Sequence, residues 1–338
     1  MSELVIVLTD LYLDPDPGAP PSERGVLAGI ESLTRFARAR ALERSWREWA
    51  ARWLGLERCA HLPPASVAAA AAAGPPPGPV VWLAEPLHLT EGIGRVHLER
   101  RGRLRLAASE AERLAADFNT VYAGSGFALT PLPGGTFLLA APAGETPCTC
   151  EPARVPAGTL AESLPSGSGA GVLRRLGVEL EMWLHQHPLN AERAGRGEPP
   201  VSALWIWGGG AAPAGTPPAG TARAAVYGAE AYLTGLARLG GTESRPVPPE
   251  WPYARGGTLA PALHALEVRD ALQREPGSDL LRALADLDRR WIAPAVAALG
   301  AGSLERLWLL ANDRAWCLQP RDRWRRWRRT RAGLEAMT

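Results

Sequence analysis

The chain has 338 residues, and all 37 of its basic side chains are arginine; it contains no lysine. Against 35 acids the net charge is +2, so bulk charge does not favour a nucleic-acid or membrane partner. The missing lysine excludes a Walker-type phosphate lysine, a Schiff base and a lysine general base, so an anion must be met by arginine, backbone N–H groups or a metal. The abundance of Ala, Gly, Pro and Arg also fits GC-rich coding.

In chain order, Leu4 to Leu8 reads as a strand buried on both faces, ending in Thr9-Asp10. Gly25 to Leu56 reads as two helices. His61 to Pro79 is rich in Ala, Pro and Gly and reads as a loop or linker. Val80 to Leu83 looks like a second strand, and Arg95 to Leu106 alternates as an antiparallel hairpin does. Ser109 opens a helix with Glu112 completing a capping box. Phe127 to Ala141 reads as two strands around Pro133-Gly134-Gly135, and Pro142 to Gly171 as irregular. Val172 to His187 is a strong helix, and Val201 to Trp207 an apolar strand running into three glycines. Ala224 to Leu239 alternates strand and helix character. Leu259 to Gln273 and Leu280 to Leu299 read as helices, Leu304 to Leu310 and Ala315 to Leu318 as strands.

Strands alternate with helices at both ends, and the middle is hairpin-rich. That pattern predicts an α/β core with an inserted α+β lobe. The expected bounds are 1–80 and 201–320 for the core, 81–200 for the lobe and 321–338 for an Arg/Trp-rich end. No run is long and apolar enough to span a membrane, and no signal peptide is read at Met1, so the expected setting is cytoplasmic. Four cysteines are too sparse for a disulfide scaffold. Cys148-Thr149-Cys150 lacks the second pair of a zinc site.

The most informative stretch is 179–210. A polar turn carrying Asn190, Arg193 and Arg196 leads to a buried strand ending in Trp207-Gly208-Gly209-Gly210. Glycines at the carboxyl end of such a strand let a ligand approach the backbone, and arginine grips phosphate or carboxylate in two-pronged fashion. These seven residues are the candidate site for a phosphorylated or carboxylated small molecule. The bland alternative is a turn before a Pro/Ala loop, with Trp205 and Trp207 as ordinary core. His185 and His187, two apart, do not share a helix face and make a poor metal pair.

The same stretch resembles the archaeal-type, cofactor-independent phosphoglycerate mutases of the alkaline phosphatase superfamily. Their acidic helix, His-Pro-Val-Asn, Arg, Gly and Trp-rich strand ending in Gly-x-Gly match Glu179 to Gly210. It is also similar to a shorter bacterial group of regulatory proteins of the pathogenicity-factor E type. Trp82 to Leu89 resembles that group's Asp-Pro-Val-His-Leu motif with Glu85 for Asp. Ser109-Glu110-Ala111 with Phe118-Asn119, Tyr227-Gly228 to Leu236-Ala237 and the Trp/Arg-rich end resemble it too.

The resemblance implies an alkaline-phosphatase-like core sheet with helices on both faces, a serine nucleophile and two metal ions clamping an in-line displacement. Asp10 and Asp14 have the spacing of the family's first metal motif without its glycine, and the nucleophile motif has no good match. After Leu310 an aspartate, Asp313, is present, but Arg314 stands where a histidine ligand belongs. No histidine follows His264. The reading is a non-catalytic regulatory or ligand-binding protein with a degenerate metal site. No cofactor is expected on it.

Two alternatives stay open. One is a phosphoglycerate mutase or phosphatase-type enzyme that rebuilds a Mn or Zn site from Asp10, Asp14 and Asp313. The other is an interaction protein acting through 321–331, where seven arginines flank Trp324 and Trp327. An acidic protein partner fits that segment, as does docking of a tryptophan-seamed helix on the protein's own core. A nucleic-acid partner is not expected.

Overall fold

The computed structural model describes residues 2–13, 25–92, 95–155, 160–213, 220–253, 259–274, 279–324 and 329–338. In chain order the strands are β1 (Glu3–Leu8), β2 (Arg38–Ala41), β3 (Val80–Leu87), β4 (Thr90–Gly92), β5 (Arg95–His97), β6 (Ala128–Leu132), β7 (Thr136–Ala141), β8 (Ala203–Ala211), β9 (Ala225–Tyr227), β10 (Ala262–Leu266), β11 (Arg306–Ala311) and β12 (Arg314–Leu318). The helices are α1 (Ala28–Phe36), α2 (Trp46–Trp53), α3 (Pro64–Ala68), α4 (Ala108–Val121), α5 (Ala170–His185), α6 (Pro188–Gly195), α7 (Ala231–Leu239), α8 (Val268–Arg274), α9 (Leu280–Leu287) and α10 (Ala293–Gly300). A π-helical turn, Asp288–Ile292, joins the last two.

Two compact units result. The first comprises Met1–Gly55, Ala222–Ala229 and Thr242–Thr338. Its sheet runs β2-β12-β11-β1-β10-β9, with β11, β1, β10 and β9 parallel and β12 and β2 antiparallel at one edge. β1 is buried at every position because it is central and has helices on both sides. Leu4, Ile6 and Leu8 pack with α1, α8, α9 and α10. On the other face Trp49 of α2 meets Trp308 edge-on, and Trp53 donates to Glu3 at 3.0 Å.

The second unit comprises Leu56–Thr221 and Glu230–Gly241, around an antiparallel sheet β6-β7-β3-β8. One face packs on α4 and α5. The other packs on α3 and on Ala231 at the start of α7.

The expected bounds at 80 and 200 differ from this division. β3 and β8 pair from Val80↔Ala211 to Leu87↔Ala203, so 203–211 belongs to the second unit's sheet. The stretch 61–79 is also not a simple loop. Pro64 presets the first turn of α3, and Ala65, Ala68 and Ala69 pack against the sheet. Between the two helices expected over 25–56 lies a strand, β2, that covers the edge of β12. The helix expected from Leu259 is a strand followed by a helix, β10 and α8. All five residues of β10 are buried, a pattern that periodicity does not separate from a buried helix. The hairpin expected over 95–106 is instead β4 paired with β5, with Arg103 bridging back to Leu87. α4 is capped by Ala107, whose N–H donates to Glu110 at 3.1 Å. The pair expected at Ser109 and Glu112 is therefore displaced by two residues.

Among the described residues no helix is long and apolar enough to cross a membrane.

Candidate functional site

Open α/β sheets usually bind ligands beyond the carboxyl ends of their strands. In the first unit Asp10 follows β1 there and is buried. Its Oδ1 accepts from Val268 N at 2.7 Å and its Oδ2 from Arg269 N at 2.9 Å. Both oxygens thus satisfy N–H groups that the first turn of α8 leaves open. Glu267 and Arg269 form a buried ion pair alongside, at 2.6 Å.

Asp313 sits in the two-residue turn between β11 and β12. Asn312 and Asp313 have φ of 47° and 54°, the left-handed pair that twists a hairpin correctly. Asp313 O accepts from Leu42 N at 2.7 Å. Asn312 Oδ1 accepts from Leu13 N and its Nδ2 donates to Met337 O, both at 3.0 Å. Asp14 lies outside the described residues. Among those described, no three His, Cys, Asp or Glu side chains are grouped to hold a metal. A divalent cation at Asp10 would share the carboxylate with two main-chain donors, and exposed Arg314 adjoins Asp313. This donor set does not fit a two-metal centre. Asp10→Ala is expected to cost about 1–3 kcal/mol by stranding those N–H groups. Urea unfolding with and without Mn checks this, because a metal ligand would give the native chain a Mn-dependent gain in midpoint.

In the second unit the expected ligand residues are brought close to their own chain. His187 caps α6: its Nδ1 accepts from Leu189 N at 3.2 Å, leaving the proton on Nε2, 3.2 Å from Asp117. Burial pushes the His187 pKa down, while the Asp117 carboxylate pulls it up. Asn190 works as a staple. Its amide donates to Leu184 O at 2.7 Å and Val201 O at 2.8 Å, and accepts from Val201 N at 2.7 Å. Arg193 is buried, with Nε on Pro199 O at 2.9 Å and Nη1 on Glu110 at 2.8 Å. Arg196 donates to Glu110 and Glu198. Trp207 Nε1 donates to Glu85 at 3.0 Å, and Arg103 holds that carboxylate's other oxygen at 2.9 Å.

The glycines serve close approach, and what approaches is protein. A Cβ on Gly209 would stand 2.1 Å from the Trp82 ring, and one on Gly210 2.4 Å from Pro63. Trp82 lies over the bulge between β3 and β8. Gly209→Ala is expected to destabilise by about 1–3 kcal/mol through overpacking, read as a lower thermal midpoint with Trp fluorescence altered.

The Arg/Trp-rich end is anchored on both sides. Asp322 is buried and accepts from Gln319 N at 3.1 Å. Gly333 N donates to Glu31 at 2.9 Å, and Met337 is in the core. Pro320–Trp324 is a 3₁₀ turn. Trp324 is 76% exposed; Trp327 lies outside the described residues.

No protein-family model and no curated protein matches the chain. Among solved structures it is similar to a cofactor-independent phosphoglycerate mutase from Thermoplasma acidophilum, at 16% identity and a TM-score of 0.38, covering 94% of this chain and 90% of that one. It is also similar to the PH0037 protein from Pyrococcus horikoshii, at 15% identity and a TM-score of 0.46, covering 99% and 92%. The fold itself is mixed α/β, with a central sheet flanked by helices.

Sequence reasoning missed the acidic partners. Glu110 gathers Arg193 and Arg196, and Glu85 gathers Arg103 and Trp207. A signal for Glu85 was present: one charge in the otherwise apolar strand Val80 to Leu87 requires a buried counterpart.

Proposed function

We propose that this chain acts by binding rather than by metal-dependent turnover, on an α/β scaffold of the phosphoglycerate-mutase and alkaline-phosphatase kind. The observation that carries the reading is Asp10. Each oxygen of the carboxylate that would hold the first metal already accepts a main-chain N–H of α8, which ties it to the helix start. The absence of a serine turn matching the family's nucleophile motif supports it.

A phosphorylated or carboxylated ligand at the Asn190 to Gly210 segment would meet Arg196 first. Its side chain is 46% exposed, against 5% for Arg193. Calorimetry with phosphoglycerate and with inorganic phosphate tests this. Binding that weakens in Arg196→Ala, without turnover in added Mn or Zn, fits the proposal. Stoichiometric metal in purified protein together with mutase turnover would sink it. That second outcome is the enzyme reading, favoured by one observation: Asp10 and Asp313 follow neighbouring parallel strands, β1 and β11.

Exposed Trp324 supports the interaction reading, with an acidic protein as partner. Deleting 320–338 is a poor test of it, because Met337 is buried and Gly333 bonds Glu31. Trp324→Ala combined with Arg321→Ala spares those anchors. A cytoplasmic setting is part of the proposal, and the four free cysteines fit a reducing compartment.

A further inference from the structure

Among the described residues β8 is an edge strand, with β3 on one side and no strand on the other. Main-chain groups alternate in direction along a strand. Pro86 of β3 turns its carbonyl away from β8, because that oxygen accepts from Leu104 N at 3.0 Å. The β3 residues that face β8 are therefore Leu83, Glu85 and Leu87, opposite Trp207, Trp205 and Ala203. The N–H and C=O of Leu204 and Ile206 then point out of the sheet.

The edge is closed at both ends by side chains. Asn190 pairs with both main-chain groups of Val201, and Thr149 Oγ1 accepts from Gly208 N at 3.0 Å. Between these ends, no hydrogen bond to the outward groups of Leu204 or Ile206 exists among the described residues.

These two residues line a groove of about 800 Å³. One wall is a stripe of α5, Arg174, Gly177, Val178 and Glu181, at successive-turn spacing. Val96, Leu160 and Leu164 line it as well. Val96, Leu164 and Val178 are exposed large apolar side chains, which mark an interaction surface when they share one depression. Gly177 costs α5 about 1 kcal/mol relative to alanine. Yet among the described residues no atom beyond its chain neighbours and its own helix backbone lies within 4 Å of where its Cβ would stand, so packing against other elements does not require it. The charge balance is acidic: Glu162 and Glu181 have no ion pair among the described residues, while Arg174 Nε is held by Pro165 O at 2.8 Å.

We propose that this groove binds an extended segment of a partner protein as an added strand on β8, with apolar side chains at alternate positions and a basic one facing Glu162 and Glu181. Unpaired strand edges recruit peptides in this way, the main chain supplying affinity and alternate pockets specificity.

The test pans the full chain against a displayed library of random short peptides and resynthesises the clones recovered. The expected clones alternate apolar residues and carry Lys or Arg. Their addition slows hydrogen exchange at the Leu204 and Ile206 amides. Methylating the peptide's edge-facing nitrogens weakens binding by about tenfold or more, as does Gly177→Leu, which fills the groove from a half-buried helical position. Glu181→Arg weakens the basic clones selectively. The proposal fails if no clone is recovered, if clones bind Gly177→Leu unchanged, or if exchange at Leu204 and Ile206 does not respond. It also fails if an apolar dye fills the groove of the native chain and no peptide displaces it.

Discussion

Replacing Glu85 by alanine lowers the unfolding free energy of the second unit by about 3–5 kcal/mol, the loss typical when one partner of a buried ion pair is removed. Glu85 and Arg103 lie 2.9 Å apart, with side chains only 8% and 9% exposed. Little water reaches either group to screen the charge left behind. The same truncation takes the acceptor from Trp207 Nε1. The two losses do not simply add, because one relaxation serves both. Glu85→Gln keeps an acceptor for one of the two donors and is expected to cost less than alanine. Denaturant unfolding followed by tryptophan fluorescence reads both variants. Exposed Glu192, paired with Arg113 at 2.7 Å, supplies the control, and its truncation should change little. A loss for Glu85→Ala as small as the control's would mean that water reaches the pair.

The elements legible in the sequence are those in which burial and period agree. β1 is a continuous apolar run and proves buried at all six positions. α5 repeats Leu173, Leu176, Leu180 and Leu184, and those, with Ala170, are its buried residues. α3 was hidden because Ala and Pro read as low complexity. Yet alanine is the best helix former, and proline is favoured in a first helical turn.

The site divides in the same way. That something must approach Gly208 to Gly210 closely is legible; that it is Trp82 and Pro63 is not, since spacing along the chain says nothing of cross-strand neighbours. Asp10 is legible by its place after a strand. Its partners are main-chain N–H groups 258 and 259 positions away. Every residue but proline carries such a donor, so no residue type announces it.

Acid should act on the first unit through two buried groups of opposite sign. His264 is fully buried in β10. Its ring stacks on Tyr227 with centroids 4.4 Å apart, lies 4.7 Å from Trp291, and its Nε2 is 2.9 Å from the Tyr253 hydroxyl. Burial pushes its pKa from 6.5 down to about 3, and pushes Tyr253 up to about 12, so the hydroxyl stays neutral throughout. The unfolded chain takes up a proton near pH 6.5 that the folded chain refuses. The His264 contribution is therefore whole above pH 6.5 and falls by about 1.4 kcal/mol per unit between there and about pH 3.

Asp288 works the other way. Its carboxylate accepts from Gly29 N at 2.8 Å and Ile30 N at 2.7 Å at the start of α1. A side chain on Gly29 would collide with Ala293 N, so only glycine allows this approach. Burial outweighs those two bonds and pushes the Asp288 pKa from 3.8 up to about 6. Its contribution is whole below pH 3.8 and is lost as pH rises through 6. Between about pH 6 and 4 the two slopes nearly cancel, and each group masks the other in the native chain. His264→Phe keeps the stacked ring and removes the proton. Its stability relative to the native chain should rise by about 1.4 kcal/mol for each unit of acidification from pH 6.5 to 4, read from urea midpoints at fixed pH steps. Parallel curves for variant and native chain would mean that water reaches His264 and that it titrates near its ordinary value. The lost Tyr253 contact shifts the variant's curve by a constant, so the slope, and not the offset, decides.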